Sequence, residues 1–129
     1  MMVFQLNDVN KNLPFHRRLS FALQGLRAAW SGESSFRTHV IIAVLVLVAE
    51  VILRPAPVWW ALLALAVGIV IGAELFNTAL ERLADHVQPK FDEEIKAFKD
   101  VAAGAVLIAT MTALVIAAAF VADTFLLTH

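Results

Sequence analysis

Hydrophobic residues in this chain gather into three long blocks instead of short alternating runs. Residues 36–53 (FRTHVIIAVLVLVAEVIL) are interrupted by Arg37, His39 and Glu50, residues 58–80 carry no charge except Glu74, and residues 101–122 carry none at all. A hydrocarbon core of ~30 Å takes about 20 helical residues. The third block meets that requirement outright, the second does so if Glu74 sits near one interface, and the first is marginal. Backbone polar groups in lipid must be satisfied within the segment, so each block is expected to be a helix. The pattern predicts an all-α membrane protein with spans at about 36–53, 58–84 and 97–122.

Ahead of the first block the period changes. Leu19, Ala22, Leu23, Leu26 and Trp30 recur at helical spacing, with Arg17, Arg18, Gln24 and Arg27 mostly off that stripe. This predicts an amphipathic helix at about 14–30 lying in the membrane interface, Trp30 at headgroup level. An ordinary helix packed on a bundle is the alternative. The run SGESS (residues 31–35) is expected to end that helix, with Ser34 or Ser35 capping the next. RPAP (residues 54–57) turns the first span into the second, and Trp59 and Trp60 follow as interface anchors. The second connection is longer and charged. Pro89 predicts a turn there, and Asp92, Glu93 and Glu94 can cap a helix running into the third span. Alanine and glycine crowd that span at residues 102–105 and 117–119, which permits close helix approach and suits a homo-oligomer.

Composition agrees with this outline. Of 129 residues 60% are hydrophobic and 16% charged, against about 25% charged in a typical soluble domain. The length suits one unit, residues 1–129 forming a single domain. With no cysteine, disulfide frameworks, thiol nucleophiles and cysteine-based zinc sites are excluded. No secretory leader is expected, since the first apolar block begins past residue 30. The net charge of −1 says little, but its distribution says more. Lys11, Arg17, Arg18, Arg27 and Arg37 precede or open the first span, and Arg82, Lys90, Lys96 and Lys99 lie around the second connection; only Arg54 falls on the other side. The basic side is expected to be cytoplasmic, with the N-terminus inside and the C-terminus outside. Basic residues placed along a membrane make nucleic acid an unsuitable partner.

Candidate chemistry lies in ELFNTALERLAD (residues 74–85), where Glu74, Asn77, Glu81 and Asp85 fall in one helical sector. A carboxylate in the bilayer costs ~2.5–3.5 kcal/mol on insertion scales, so this stripe must face other helices, water or a cation. Desolvation of Glu74 suits a general base, and stacked acids suit magnesium together with phosphate oxygens. A structural polar seam between helices is the competing explanation. Glu33 in the SGESS break, with Lys99 and Asp100 at the start of the third span, extends the same side of the molecule. Lys99 could grip phosphates or simply snorkel. Glu50 and Arg54 are expected to pair locally, and His39 is assigned to packing. Phosphate-loop, kinase glycine-loop and nucleophile-elbow motifs do not occur.

Three blocks, GLRAAW–SGESSFR (residues 25–37), ELFNTALERLAD and KDVAAGAVLI (residues 99–108), closely resemble the bacterial integral-membrane diacylglycerol kinase family. The resemblance implies a homotrimer in the bacterial inner membrane, phosphorylating a lipid alcohol with magnesium–ATP at sites shared between subunits near the cytoplasmic face. On that resemblance Glu74 matches the general base, Glu33 and Glu81 match the Mg2+ ligands, and Asn77, Lys99 and Asp100 match residues around ATP. Lys90, Phe91 and Asp92 fall where the family's cytoplasmic loop touches nucleotide. The family's N-terminal basic contact aligns with Pro14, leaving Arg17 or Arg18 to supply it. Diacylglycerol kinase is the leading expectation and undecaprenol kinase its alternative within the family. A small proton-coupled transporter using Glu74 is the alternative from another class.

Overall fold

A computed structural model describes residues 13–127. Four helices follow one another: α1 (Phe15–Gly32), α2 (Ser34–Leu53), α3 (Pro57–Val87) and α4 (Glu93–Phe125). The last three are each long and apolar enough to cross a membrane. The chain divides into two compact units after Gly32. In the first, α1 presents Leu19, Leu23, Leu26 and Trp30 as exposed side chains at the predicted helical spacing.

In the second unit α3 is the central element, packing along α4 and against α2. Its buried residues Leu63, Ala66, Val70, Glu74 and Thr78 recur three or four positions apart and form one continuous seam. The seam therefore runs from aliphatic side chains into polar ones without leaving its face of the helix. Ala102 and Ala109 of α4 and Phe36 of α2 are buried as well. The small residues buried on α4 are thus alanines; a Cβ at Gly104 would meet nothing within 4 Å. Across these spans most large apolar side chains remain exposed, among them Leu45, Ile52, Leu107, Ile108 and Val115. Their hydrocarbon surface calls for lipid or further protein as its solvent.

Helix ends differ from expectation in instructive ways. α1 continues through Ser31 and Gly32, so the break before α2 is a single extended residue, Glu33 (φ −124°, ψ 110°). Glu33 makes no side-chain cap, and Ser34 and Ser35 are already inside α2. The hydroxyl of Ser35 is directed at Glu74 instead of a backbone N–H. At the other end of α2, Arg54 adopts a left-handed conformation (φ 48°) and its N–H donates to the Glu50 carbonyl at 2.8 Å. The residue before a proline is disfavoured in the α region, so the helix stops here despite the absence of glycine. Glu50 is buried with Oε1 lacking a hydrogen-bond partner, so the expected Glu50–Arg54 ion pair does not form. Glu50 is buried whereas Arg54 is exposed. Pro57 opens α3 as predicted. Asp92 caps α4, accepting from the N–H groups of Glu94 and Ile95 at 2.9 and 3.1 Å.

α3 and α4 are clasped at both ends. The Trp59 indole N–H donates to Asp123 Oδ2 at 2.8 Å, and its ring meets Phe120 edge-on at 5.4 Å between centroids. Trp59 thus turns toward α4, whereas Trp60 is the exposed member of the pair. At the opposite end Lys99 Nζ donates to Asp85 Oδ1. With 31 and 33 residues, α3 and α4 measure about 46 and 50 Å at ~1.5 Å per residue. A hydrocarbon core of ~30 Å cannot contain them, so their charged ends project beyond it. A double-mutant cycle of Trp59→Phe and Asp123→Ala, followed by unfolding in sodium dodecyl sulfate, should give a coupling of about 1 kcal/mol. Strictly additive losses would show that the contact carries no stability.

Candidate functional site

The polar end of the α3 seam opens into a cleft of about 310 Å³ lined by Glu33, Ser35, Glu74, Asn77, Thr78, Glu81, Ala103 and Val106. Each element contributes for a local reason. The single-residue break sets Glu33 at the rim before α2 begins. α3 stacks Glu74, Asn77, Thr78 and Glu81 because positions three, four and seven apart share a face. From α4 come only Ala103 and Val106, whose short side chains leave the space unfilled.

Glu74 is the most enclosed acid of the cleft, with 7% of the residue exposed. Two polar groups from α2 meet one of its oxygens. Ser35 Oγ donates to Oε1 at 2.8 Å, and His39 Nε2 lies 3.0 Å from the same atom. Ser35 and His39 are four residues apart and so lie one turn above the other. Neither was singled out as a partner of Glu74 from the sequence, and His39, assigned to packing, is instead in polar contact. An i, i+4 pair of donors on the neighbouring span was the available signal. Asn77 Oδ1 is buried without a hydrogen-bond partner, so the cleft contains an acceptor awaiting a donor or cation.

Glu33 and Glu81 line the same cleft, and Arg82 Nη2 stands 3.7 Å from Glu33 Oε1 as a loose, half-exposed ion pair. Among the described residues no three acidic or histidine side chains converge as a metal site. Apart from Glu74, the cleft offers a cation the carboxylates of Glu33 and Glu81 and the amide oxygen of Asn77. An all-oxygen set of that size fits Mg2+, which usually takes one or two carboxylates and completes its shell with phosphate oxygens and water.

A second cleft of about 200 Å³ lies one helical turn further along α3, among Asp85, Gln88, Pro89, Lys90, Phe91, Asp92, Ile95, Lys96 and Lys99. It collects Lys90, Phe91, Asp92 and Lys99 from the sequence-derived candidates. Asp85, the last acid of the α3 stripe, belongs to this second cleft through its bond to Lys99. Asp100 lines neither cleft; it takes a 2.6 Å bond from Lys96 on the exposed side of α4. Arg17 lies on α1, in the other unit. Beneath Glu74 a groove of about 160 Å³ is almost wholly aliphatic, walled by side chains such as Ile42, Val46, Val67, Val70 and Ala113, with His39 as its polar member beside Thr110.

Comparison with known proteins gives this geometry a context. The family described as prokaryotic diacylglycerol kinase matches residues 20–121. A diacylglycerol kinase of Synechocystis is 37% identical over 97 residues, covering 74% of this chain and 55% of its own length. The diacylglycerol kinase of Escherichia coli K12 is 32% identical over 95 residues, covering 74% of this chain and 78% of that one. An undecaprenol kinase of Bacillus subtilis is 30% identical over 102 residues, covering 79% and 80%. The matched stretch takes in most of α1, the whole of α2 and of α3 with its polar stripe, and most of α4, including Lys99. With membrane-length helices, a buried carboxylate at the end of an apolar seam and this breadth of similarity, the chain belongs to the prokaryotic diacylglycerol kinase family and is a kinase.

Proposed function

We propose that the protein transfers the γ-phosphoryl group of Mg–ATP to the hydroxyl of diacylglycerol, giving phosphatidic acid, with Glu74 as general base. The observation that carries this proposal is the state of the Glu74 carboxylate. It is buried in the cleft with the Ser35 hydroxyl bonded to Oε1 and His39 Nε2 beside the same oxygen, and among the described residues Oε2 receives no hydrogen bond. Oε2 is therefore the oxygen available to a substrate hydroxyl. Membership in a kinase family sets the transporter alternative aside.

The chemistry follows from the residues in place. Oε2 of Glu74 takes the hydroxyl proton as the lipid oxygen bonds to the γ-phosphorus. The bond from that phosphorus to the β–γ bridging oxygen breaks, ADP leaves, and Glu74 later returns the proton to water. Phosphoryl transfer demands positioning and charge neutralisation more than covalent assistance, so a small cleft suffices. Glu33 and Glu81 would hold Mg2+, which when bound offsets charge on the phosphate oxygens. Asn77, with its free Oδ1, orients the base or the lipid head. The nucleotide lies toward the second cleft, where Lys99 supplies positive charge beside the phosphates and Lys90, Phe91 and Asp92 border the base; Asp100 is a further nucleotide contact implied by the family, and Arg17 or Arg18 takes the place of the N-terminal basic contact that Pro14 lacks. The aliphatic groove beneath Glu74 has the chemistry an acyl chain requires, which lets the hydroxyl reach the base while the tail stays in hydrocarbon.

The surrounding arrangement completes the proposal. The whole chain serves as one kinase domain in the bacterial inner membrane, with α1 lying in the cytoplasmic interface, the N-terminus inside and the C-terminus outside. A homotrimer covers part of the exposed apolar surface. The Bacillus subtilis relative favours a second substrate, undecaprenol, with unchanged chemistry.

Labelled ATP, Mg2+ and mixed micelles containing either lipid separate these possibilities. Turnover should favour diacylglycerol; turnover confined to undecaprenol would move the substrate and keep the mechanism. Glu74→Gln should lower kcat by about 10²–10⁴-fold. A mutant of near-normal rate in well-folded protein rules out Glu74 as base. Glu33→Gln and Glu81→Gln should each raise the Mg2+ concentration for half-maximal activity by roughly 10–100-fold. An unchanged Mg2+ dependence in both variants would remove them as ligands.

A further inference from the structure

We propose that Ser35 and His39 of α2 are positioning residues for the base, fixing which oxygen of Glu74 receives the proton; this rests on the reading of Glu74 as base. The geometry is specific. Ser35 Oγ and His39 Nε2 approach Oε1 at 2.8 and 3.0 Å. Ser35 Oγ donates to Oε1 and His39 Nε2 stands against the same oxygen, so both groups engage one side of the carboxylate. Oε2 is left as the acceptor, and the carboxyl plane is pinned at two points from a neighbouring helix. A glutamate side chain has three rotatable torsions, so without these contacts the carboxylate would sample several orientations in the cleft.

The two residues divide the task by environment. The Ser35 hydroxyl comes from the cleft side, since Ser35 lines the same cleft as Glu74, Asn77 and Glu81. The His39 ring lines the aliphatic groove with Ile42, Val46 and Val67, and only its Nε2 reaches Glu74. Nε2 is thus the ring nitrogen that faces the carboxylate. His39 thus closes the cleft floor against hydrocarbon and presents Nε2 to the base from that side. A purely aliphatic residue at this position would fill the same wall and withdraw the polar contact.

Initial rates on diacylglycerol in mixed micelles test this, with ATP and lipid varied separately and Glu74→Gln as reference. Detergent-solubilised size-exclusion profiles report folding. His39→Leu should lower kcat about 10–100-fold while KM for ATP stays within about twofold, the pattern of a misplaced reacting group. His39→Gln keeps an N–H donor on a comparable stem and should recover activity to within about threefold of the unaltered protein. Ser35→Ala should lower kcat about threefold to tenfold, again sparing KM for ATP. If His39→Leu fails to assemble, Ser35→Ala and His39→Gln decide the matter: a kcat unchanged in the first, or a large loss in the second, overturns the proposal. Normal kcat in well-folded His39→Leu, with Glu74→Gln inactive, also overturns it and leaves the base intact. An active Glu74→Gln removes the base, and the positioning role with it.

Discussion

A carboxylate buried in a membrane-length helix has to be met by donors, and that need organises this protein. Glu74 lies on the same seam as Leu63, Ala66 and Val70, so the packing that joins α3 to its neighbours also carries the acid inward. Once it is there, its charge cannot be left to hydrocarbon. α2 answers with a serine and a histidine one turn apart. The site and the helix packing are consequently the same contact, seen at its polar end.

The carboxylate also depends on what α4 omits. Ala103 and Val106 stand opposite the α3 stripe and leave a cleft where longer side chains would fill it. The clasps of Trp59 with Asp123 and of Lys99 with Asp85 hold α3 and α4 in one antiparallel register. That register keeps the small residues of α4 beside Glu74 and brings Lys99 level with the turn that follows Glu81. A positive group and a cleft rich in acids are thereby set next to each other, the pairing that a polyphosphate and its counter-ion need.

Much of this was legible in the chain. Uncharged blocks of sufficient length gave the spans, because hydrocarbon thickness and helix rise leave few other solutions. The shared helical sector of Glu74, Asn77 and Glu81 followed from their spacing. Pro57 and Asp92 marked helix starts correctly through their backbone chemistry. What escaped was contact between helices. Ser35 looked like a cap because serine near a helix start often is one, yet α1 runs on to Gly32 and leaves only Glu33 outside helix. His39 looked like packing because nothing in one sequence says which face of α2 meets α3. Glu50 and Arg54 have the spacing of an ion pair, but a left-handed residue before proline turns one of them away. Trp59 and Trp60 are chemically alike, and only the position of Asp123 distinguishes them.

Glu74 and the Trp59 clasp lie on one unbroken helix, with no loop between them to absorb a change of length. Each residue of that helix adds ~1.5 Å of depth and ~100° of rotation. Adding or removing a single residue between them would swing the acid away from Ser35 and His39, or else pull Trp59 off Asp123. Only about seven residues, two full turns, would restore the facing, and that step of ~10 Å would lift the acid out of its level in the bilayer. Along this stretch side chains can be exchanged, but the count of residues behaves as a fixed dimension of the molecule.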